Sequence, residues 1–267
     1  MANRAGLQEF QRHRYERALD EFQQAARLDP ENAEYHNNIG MARLRLGKIE
    51  LAYYDFARAE RLRPNQALYA FNAGLTLRQA GKAAEAEGAF RRALIIDPDH
   101  YGAQDAMALI HLEAGRLGEA RRAWEKTAEI KATPDVLANL ARTHLALEAS
   151  RTDANGKDLM RARQYLDQAL TLDAKHAGSH YALGLWHETR EDWTAALAAY
   201  QEALEINPAL LEAQFKQAVA HEQLGQPAAA IAALETFIRS APPKTHMTQI
   251  IAARNQIRRI QQATPED

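Results

Sequence analysis

The sequence predicts an all-α fold, a right-handed α-solenoid of helix–turn–helix units that ends in a C-terminal capping helix. The first observation is a set of residues that recurs every 34 positions, the period expected of stacked helix pairs. The second is the order of that set, which is a glycine, an alanine, an aromatic, a second alanine and a proline. In residues 33–66 these are Gly40, Ala52, Phe56, Ala59 and Pro64.

When the repeats are aligned on this period, the residues at equivalent positions form columns, and these columns support the prediction of a helix pair in each repeat. The alanine column reads Ala18, Ala52, Ala86, Ala120, Ala162, Ala196 and Ala230. The large column reads Phe22, Phe56, Phe90, Trp124, Leu166, Tyr200 and Leu234. Small residues let two helices approach closely and a large side chain then fills the neighbouring gap. The columns therefore predict seven tightly packed helix pairs.

The columns also divide the chain into a single array of units. We expect units at about 1–32, 33–66, 67–100, 101–133, 134–176, 177–210 and 211–244, a capping helix at 245–262 and a tail at 263–267. The alanine column jumps by 42 between Ala120 and Ala162, so eight net residues are inserted in the fifth unit. We assign them to 148–158, where Asp, Asn, Gly and Ser predict an exposed loop.

The repeated pattern resembles the tetratricopeptide repeat (TPR) family over nearly the whole chain. The resemblance implies a non-enzymatic scaffold or adaptor for complex assembly, which holds a partner peptide or segment in a concave groove. In that family the first helix of each unit lines the groove. The inward slots lie two, three or six residues before the glycine column, one after it, and four to five after it.

Asparagines occupy the slot two residues before the glycine column in three of the units, at Asn38, Asn72 and Asn139. An asparagine carries a donor and an acceptor, so a row of them could hold the backbone of an extended peptide. This pattern resembles the asparagine ladder in the repeat region of the O-linked glycosyltransferases. The alternative is that these side chains bond locally to the neighbouring repeat.

Aromatic and apolar residues occupy the other inward slots. Phe71, Tyr181 and Phe215 lie three before the glycine column, and Met41 lies one after it. Facing inward, they would make an apolar groove with polar edges, in which aromatic anchors dominate binding. The alternative for the Leu and Met column is packing between adjacent repeats.

Two more specialised sites are disfavoured. Chaperone-binding members of the resembled family carry a carboxylate clamp, but its positions here read Asn3, Leu7, Asn38, Leu68 and Asn72, of which only one asparagine matches. A histidine column follows the glycine column by three residues, at His111, His144, His187 and His221. Successive helix layers are roughly 9–10 Å apart, too far for one metal ion, so packing in a slot where tyrosine is usual is favoured.

Composition excludes several classes of function. The chain has 33 Lys and Arg residues and 35 Asp and Glu residues, a net charge of −2. It also lacks a stripe of basic residues, so the sequence does not predict nucleic-acid binding. The sequence contains no run of 18 apolar residues, so we expect no membrane-spanning helix. No nucleophile–base pair, phosphate-binding glycine loop or metal-ligand motif is present, so we expect no enzyme, cofactor or metal.

The cellular setting is predicted only loosely. Cysteine is absent, which suits the cytoplasm, our expectation, and equally the periplasm. Met1 falls within the first helix, so a mature periplasmic domain without its signal or anchor is the alternative. By size and architecture the chain is similar to the periplasmic pilotins of type IV pilus secretins. Leu7 and Phe10 lie on an uncapped first repeat and predict self-association there.

Overall fold

The computed structural model describes residues 1–151 and 156–263, and within those ranges it contains fifteen helices and no strand. The all-α helical-repeat solenoid predicted from the 34-residue period is confirmed. The chain divides into two compact units, Met1–Ile130 and Lys131–Asp267, which we call unit 1 and unit 2. Each unit is built from consecutive helix pairs, one pair per repeat. We call the two helices of a pair the first helix and the second helix, in chain order.

Unit 1 holds four helix pairs, and each helix packs on the next along the chain. The helices are α1 (Ala2–Gln11), α2 (Tyr15–Leu28), α3 (Ala33–Arg45), α4 (Ile49–Leu62), α5 (Ala67–Gln79), α6 (Ala83–Ile96), α7 (Tyr101–Glu113) and α8 (Leu117–Ile130). The first helices α5 and α7 also contact each other. First helices of successive repeats therefore lie side by side in this unit.

Unit 2 holds three helix pairs and one further helix. They are α9 (Pro134–Ala149), α10 (Lys157–Leu172), α11 (Ala177–Thr189), α12 (Trp193–Ile206), α13 (Leu211–Gln223), α14 (Pro227–Ser240) and α15 (Pro243–Ala263). The predicted capping helix corresponds to α15, which is not regular throughout because His246 has non-helical angles, φ −123° and ψ 20°. Beyond this kink Ile250, Ala253 and Ile260 are buried against α14 and α13.

A ring from the second helix lies directly against the backbone of the first helix within several pairs. A Cβ atom added to Gly6 would lie 2.5 Å from Phe22, one added to Gly40 would lie 2.8 Å from Phe56, and one added to Gly74 would lie 2.5 Å from Phe90. In the repeats whose second helix carries Leu166 or Leu234, the same slot holds alanine, at Ala141 and Ala218. The fourth repeat also has alanine, Ala108, in this slot, although its large residue is Trp124, so the slot is small in every repeat without following the size of the facing side chain strictly.

The inserted segment lengthens two helices as well as the connection between them. Helix α9 continues to Ala149 and α10 begins at Lys157, so both ends of the loop predicted at 148–158 are helical, and residues 152–155 lie outside the described residues. The cause is local bonding, because the Glu148 carboxylate accepts a hydrogen bond from the Gly156 N–H at 2.8 Å. Asp158 accepts bonds from Arg151 and from the His144 ring.

None of the helices in residues 1–151 and 156–263 combines the length and the apolar character of a membrane span.

The close approach in the first helices predicts opposite effects for one substitution at two sites. In Gly74→Ala the new Cβ would meet the Phe90 ring at 2.5 Å, so the ring must shift, and overpacking of this kind costs about 1–3 kcal/mol. In Gly88→Ala no atom lies within 4 Å of the new Cβ, and helix propensity should instead raise stability by about 0.5–1 kcal/mol. Thermal unfolding followed by circular dichroism measures both. Equal effects of the two substitutions would contradict the close-contact account.

Candidate functional site

A concavity of unit 1 lies where three first helices come together. It has a volume of about 710 Å³ and is lined by Phe10, Met41, Leu44, Arg45, Phe56, Asn72, Leu75, Arg78 and Gln79. These residues come from α1, α3 and α5, with Phe56 contributed by α4. We call this concavity the unit 1 groove. Its volume falls within the roughly 300–1,000 Å³ typical of ligand pockets.

The floor of the unit 1 groove is apolar and preformed. Met41 and Leu44 pack against a buried cluster of Ala52, Phe56 and Ala73, and Leu75 packs against the cluster around Phe90. Met41 therefore takes both roles considered for its column, since it packs between helices and also lines the groove. Side chains held in this way need little ordering when a partner binds.

The asparagines of unit 1 form a chain of side-chain hydrogen bonds between repeats. Asn72 Nδ2 donates to Asn37 Oδ1 at 2.7 Å, Asn37 Nδ2 donates to Asn38 Oδ1 at 3.4 Å, and Asn38 Nδ2 donates to Asn3 Oδ1 at 2.9 Å. Asn37 and Asn38 are buried. Only Asn72 among the predicted asparagines reaches the unit 1 groove. The internal bonds of Asn38 correspond to the alternative of local bonding between neighbouring repeats.

Phe71 and Asn139 lie outside the lining of the unit 1 groove. The half-buried Phe71 ring packs on Phe90 at 5.8 Å and on His100 at 4.8 Å between centroids, in the space left free by Gly102. Asn139 belongs to unit 2, where its Oδ1 accepts a 3.4 Å hydrogen bond from Arg142. Neither residue lines the unit 1 groove.

Tyr181 and Phe215 are brought together in unit 2. They line a smaller pocket of about 260 Å³, together with Leu211, Glu212, Lys216, Phe237, His246, Gln249 and Ala252. The Phe215 ring stands edge-on to Phe237, with 5.6 Å between centroids. The wall on the other side is α15 just after its kink at His246, so the C-terminal helix completes this pocket.

The polar groups beside the unit 2 pocket are paired with one another. Lys216 Nζ lies 2.6 Å from Glu188 Oε1, and Tyr200 donates its hydroxyl hydrogen to Glu188 Oε2 at 2.7 Å. Burial and this hydrogen bond raise the pKa of Tyr200 far above its ordinary value. Burial also raises the pKa of Tyr181, although the Arg142 guanidinium lies 5.7 Å from its ring centroid. Both phenols are therefore neutral. Tyr200 is a hydrogen-bond donor, and Tyr181 packs on the Tyr200 ring at 6.0 Å between centroids.

The histidine column joins the two helices in each of the four repeats that carry it, the fourth to the seventh. Each of these rings reaches a residue at the start of its own second helix, in the pairs His111–Glu119, His144–Asp158, His187–Asp192 and His221–Gln226. His144 is fully buried and stacks on Tyr165 at 5.6 Å between centroids. Burial lowers the pKa of His111 and His187, so both favour the neutral form. In the described part of the chain, no three His, Cys, Asp or Glu side chains are grouped as a metal site.

Apart from Met41 and Asn72, the column analysis named none of the lining residues of the unit 1 groove as candidate binding residues, which leaves Phe10, Leu44, Arg45, Phe56, Leu75, Arg78 and Gln79. Arg45 lies five residues after Gly40, and Arg78 lies four residues after Gly74. These are the inward slots four to five after the glycine column, so a reading of that column would have found both arginines. Phe10 and Leu44 lie four residues after Gly6 and Gly40, in the same slot, so that column would have found them as well.

The asparagine chain predicts that Asn37 contributes more to stability than Asn139. Asn37→Ala removes the acceptor of Asn72 and the donor to Asn38, and leaving a buried polar group without its partner costs about 1–3 kcal/mol. Asn139→Ala loses only one long contact and should change stability by less than about 0.5 kcal/mol. Thermal unfolding of the two variants decides this. A destabilisation by Asn139→Ala equal to that by Asn37→Ala would contradict it.

Comparison with known protein families gives one consistent result along the chain. A family model described as "Tetratricopeptide repeat" matches residues 51–101, 71–136 and 147–210, which together make up more than half of the chain. A second model with the same description matches residues 183–263, and a model described as "TPR repeat" matches residues 6–47. No curated protein matches the chain.

Solved structures show the same fold at low sequence identity. A tetratricopeptide repeat protein from Parabacteroides merdae matches with a TM-score of 0.74 and 13% identity, over 94% of this chain and 96% of that one. The pilF protein of Pseudomonas aeruginosa matches with a TM-score of 0.67 and 22% identity, over 82% and 96%. A chain of the APC/C heterotetramer Cut9–Hcn1 matches with a TM-score of 0.71 and 17% identity, over 90% of this chain.

This chain spans 45% of the length of the Cut9–Hcn1 match. Identities this low show the fold alone. The family models, however, together match residues 6–47, 51–136 and 147–263. The chain belongs to the tetratricopeptide repeat family.

Proposed function

We propose that the protein is a non-enzymatic interaction scaffold that binds a segment of a protein partner in the unit 1 groove. Proteins of the tetratricopeptide repeat family are generally scaffolds for protein–protein interaction. The observation that carries the proposal is the groove itself, about 710 Å³ of preformed space lined by the first helices α1, α3 and α5. No part of it has to fold before a partner can enter.

The physical basis of the proposal is the low ordering cost of the groove. Met41, Leu44 and Leu75 are held by the helix-pair clusters described above, so their rotamers are already restricted. On binding, most of the conformational entropy is lost by the partner segment, and affinity rises accordingly. An apolar floor with polar groups at its edge is suited to a short peptide segment rather than to a flat protein surface.

The setting and the oligomeric state belong to the same proposal. We place the protein in the cytoplasm, with a periplasmic assembly factor as the alternative, and the groove would serve a partner in either compartment. Self-association through the first repeat is a further proposal, supported by the 38% exposure of Leu7. Phe10 supports it less, because its ring is half-buried and packs on Tyr15 at 5.2 Å between centroids.

Substitution in the groove floor should abolish capture of the partner from the source cell. Met41→Lys combined with Leu75→Lys places two ammonium groups where an apolar side chain would bind, and we expect at least a tenfold loss, which is about 1.4 kcal/mol. Both lysines can extend toward solvent from their half-buried positions, so the fold should persist. Pull-down with the full chain, with circular dichroism as the check on folding, is the measurement.

The matched control is Leu28→Lys combined with Ile95→Lys. These residues are 84% and 75% exposed on the second helices α2 and α6, away from the groove. The control should capture the partner as the unchanged protein does. Equal capture by the groove variant, or equal loss in the control, would refute binding in the unit 1 groove.

A further inference from the structure

Two arginines at the edge of the unit 1 groove have no side-chain partner among residues 1–151 and 156–263. Arg45 ends α3, Arg78 lies in the last turn of α5, and both are exposed and line the groove. Neither forms a hydrogen bond or an ion pair through its side chain with any described residue. The nine lining residues include no aspartate or glutamate. The groove therefore carries two uncompensated positive charges in a chain whose net charge is −2.

Several arginines of the same unit pair with an acidic side chain, whereas others, such as Arg61, have no side-chain partner among the described residues. Arg43, two residues before Arg45 on the same helix, pairs with Asp55 at 2.7 Å. Arg92 pairs with Glu60 at 2.7 Å, and Arg116 pairs with Glu87 at 2.7 Å. Acidic side chains are thus placed beside several arginines of unit 1, and none is placed beside the two in the groove.

Asn72, which lies between the two arginines in the sequence, adds a hydrogen-bond acceptor to the groove. Its Nδ2 is used by Asn37 at 2.7 Å, whereas its Oδ1 accepts no hydrogen bond from the residues of the described ranges. A carbonyl oxygen in that state can accept a backbone N–H from an extended peptide. The groove thus offers one acceptor, two cations and an apolar floor.

We propose that the unit 1 groove recognises an extended segment of a protein partner in which an apolar side chain is flanked by carboxylates. The apolar side chain contacts Met41, Leu44 and Leu75, and the carboxylates bond to Arg45 and Arg78, whose planar guanidinium groups suit bidentate pairing. Asn72 accepts one backbone N–H of the segment. This inference rests on the proposed function and adds the chemistry of the partner. None of the carboxylate-clamp positions of chaperone-binding relatives contributes a charge to it.

The unit 2 pocket does not have the same preference. Its lysine, Lys216, is already paired with Glu188 at 2.6 Å, and the pocket also contains the carboxylate of Glu212. No free cation among its lining residues is available to a carboxylate. An acidic segment is therefore directed to the unit 1 groove rather than to the unit 2 pocket.

The experiment compares two pools of short fluorescent peptides by anisotropy with the full chain. In one pool a central leucine or phenylalanine is flanked by aspartate or glutamate, and in the other the flanking residues are asparagine or glutamine. The unchanged protein should bind the acidic pool about tenfold more tightly or better, as expected for charge-assisted hydrogen bonds. Added salt should weaken that preference.

The variants identify the arginines that are responsible. Arg45→Gln combined with Arg78→Gln should abolish the preference, bringing the affinity for the acidic pool down to that for the amide pool. The matched control, Arg61→Gln combined with Arg122→Gln, removes two exposed arginines on α4 and α8 that lie outside the groove. The control should keep the full preference.

The outcomes separate this inference from the proposed function. Equal binding of the two pools, lost in the Met41→Lys, Leu75→Lys variant, would overturn the acidic preference and leave groove binding in place. Failure of both pools to bind would also overturn this inference, while the pull-down still judges the proposed function. A preference reduced equally in the control variant would show an effect of overall charge and overturn the assignment to Arg45 and Arg78.

Discussion

The close contact between a ring of the second helix and the backbone of the first is the constraint on which the rest of the structure depends. At Gly6 and Gly74 a single added carbon would lie 2.5 Å from Phe22 and Phe90. Contacts this close fix the distance between the two helices of a pair, because protein interiors adapt poorly to an extra methyl group. With that distance fixed, the residue after each glycine, such as Met41 or Leu75, is placed at the floor of the unit 1 groove.

The repeat period, the helix pairs and part of the site follow from the sequence because they depend on local periodicity. A column at fixed spacing identifies the face of a helix, and it predicts one groove for all of the candidate residues. In the structure Met41 and Asn72 line one pocket, and Tyr181 and Phe215 line another. Asn38 could not be placed in this way. Its burial depends on the distance to Asn3 in the preceding repeat, where its amide donates at 2.9 Å, and no spacing within one repeat reports that distance.

Individual substitutions also set the limits of column analysis. The Phe71 ring packs against His100 because Gly102 has no side chain in that space. Gly102 belongs to α7, the first helix of the next repeat, so the spacing within one repeat does not report it. In the fifth repeat the pairing of Glu148 with Gly156 and of Asp158 with His144 extends both helices into a segment whose composition predicts a loop. In both places a contact between elements overrides a local preference.

Charge is the property that the composition conceals. A near-balance of 33 basic and 35 acidic residues predicts no preferred partner, yet the unit 1 groove contains Arg45 and Arg78 without an acidic residue in its lining. Many of the acidic residues that balance the charge of the chain lie outside the groove, in ion pairs such as that of Glu87 with Arg116 at 2.7 Å. The distribution of charge between helices, rather than its sum, indicates what the groove can bind.

Methyl-resolved NMR of the labelled full chain, titrated with the captured partner segment, tests the central claim most directly. The account predicts that the largest chemical-shift changes fall on the methyl groups of Met41, Leu44 and Leu75 in the unit 1 groove. Changes confined to Leu28 and Ile95 on the second helices, or to Leu211 in the unit 2 pocket, would contradict it.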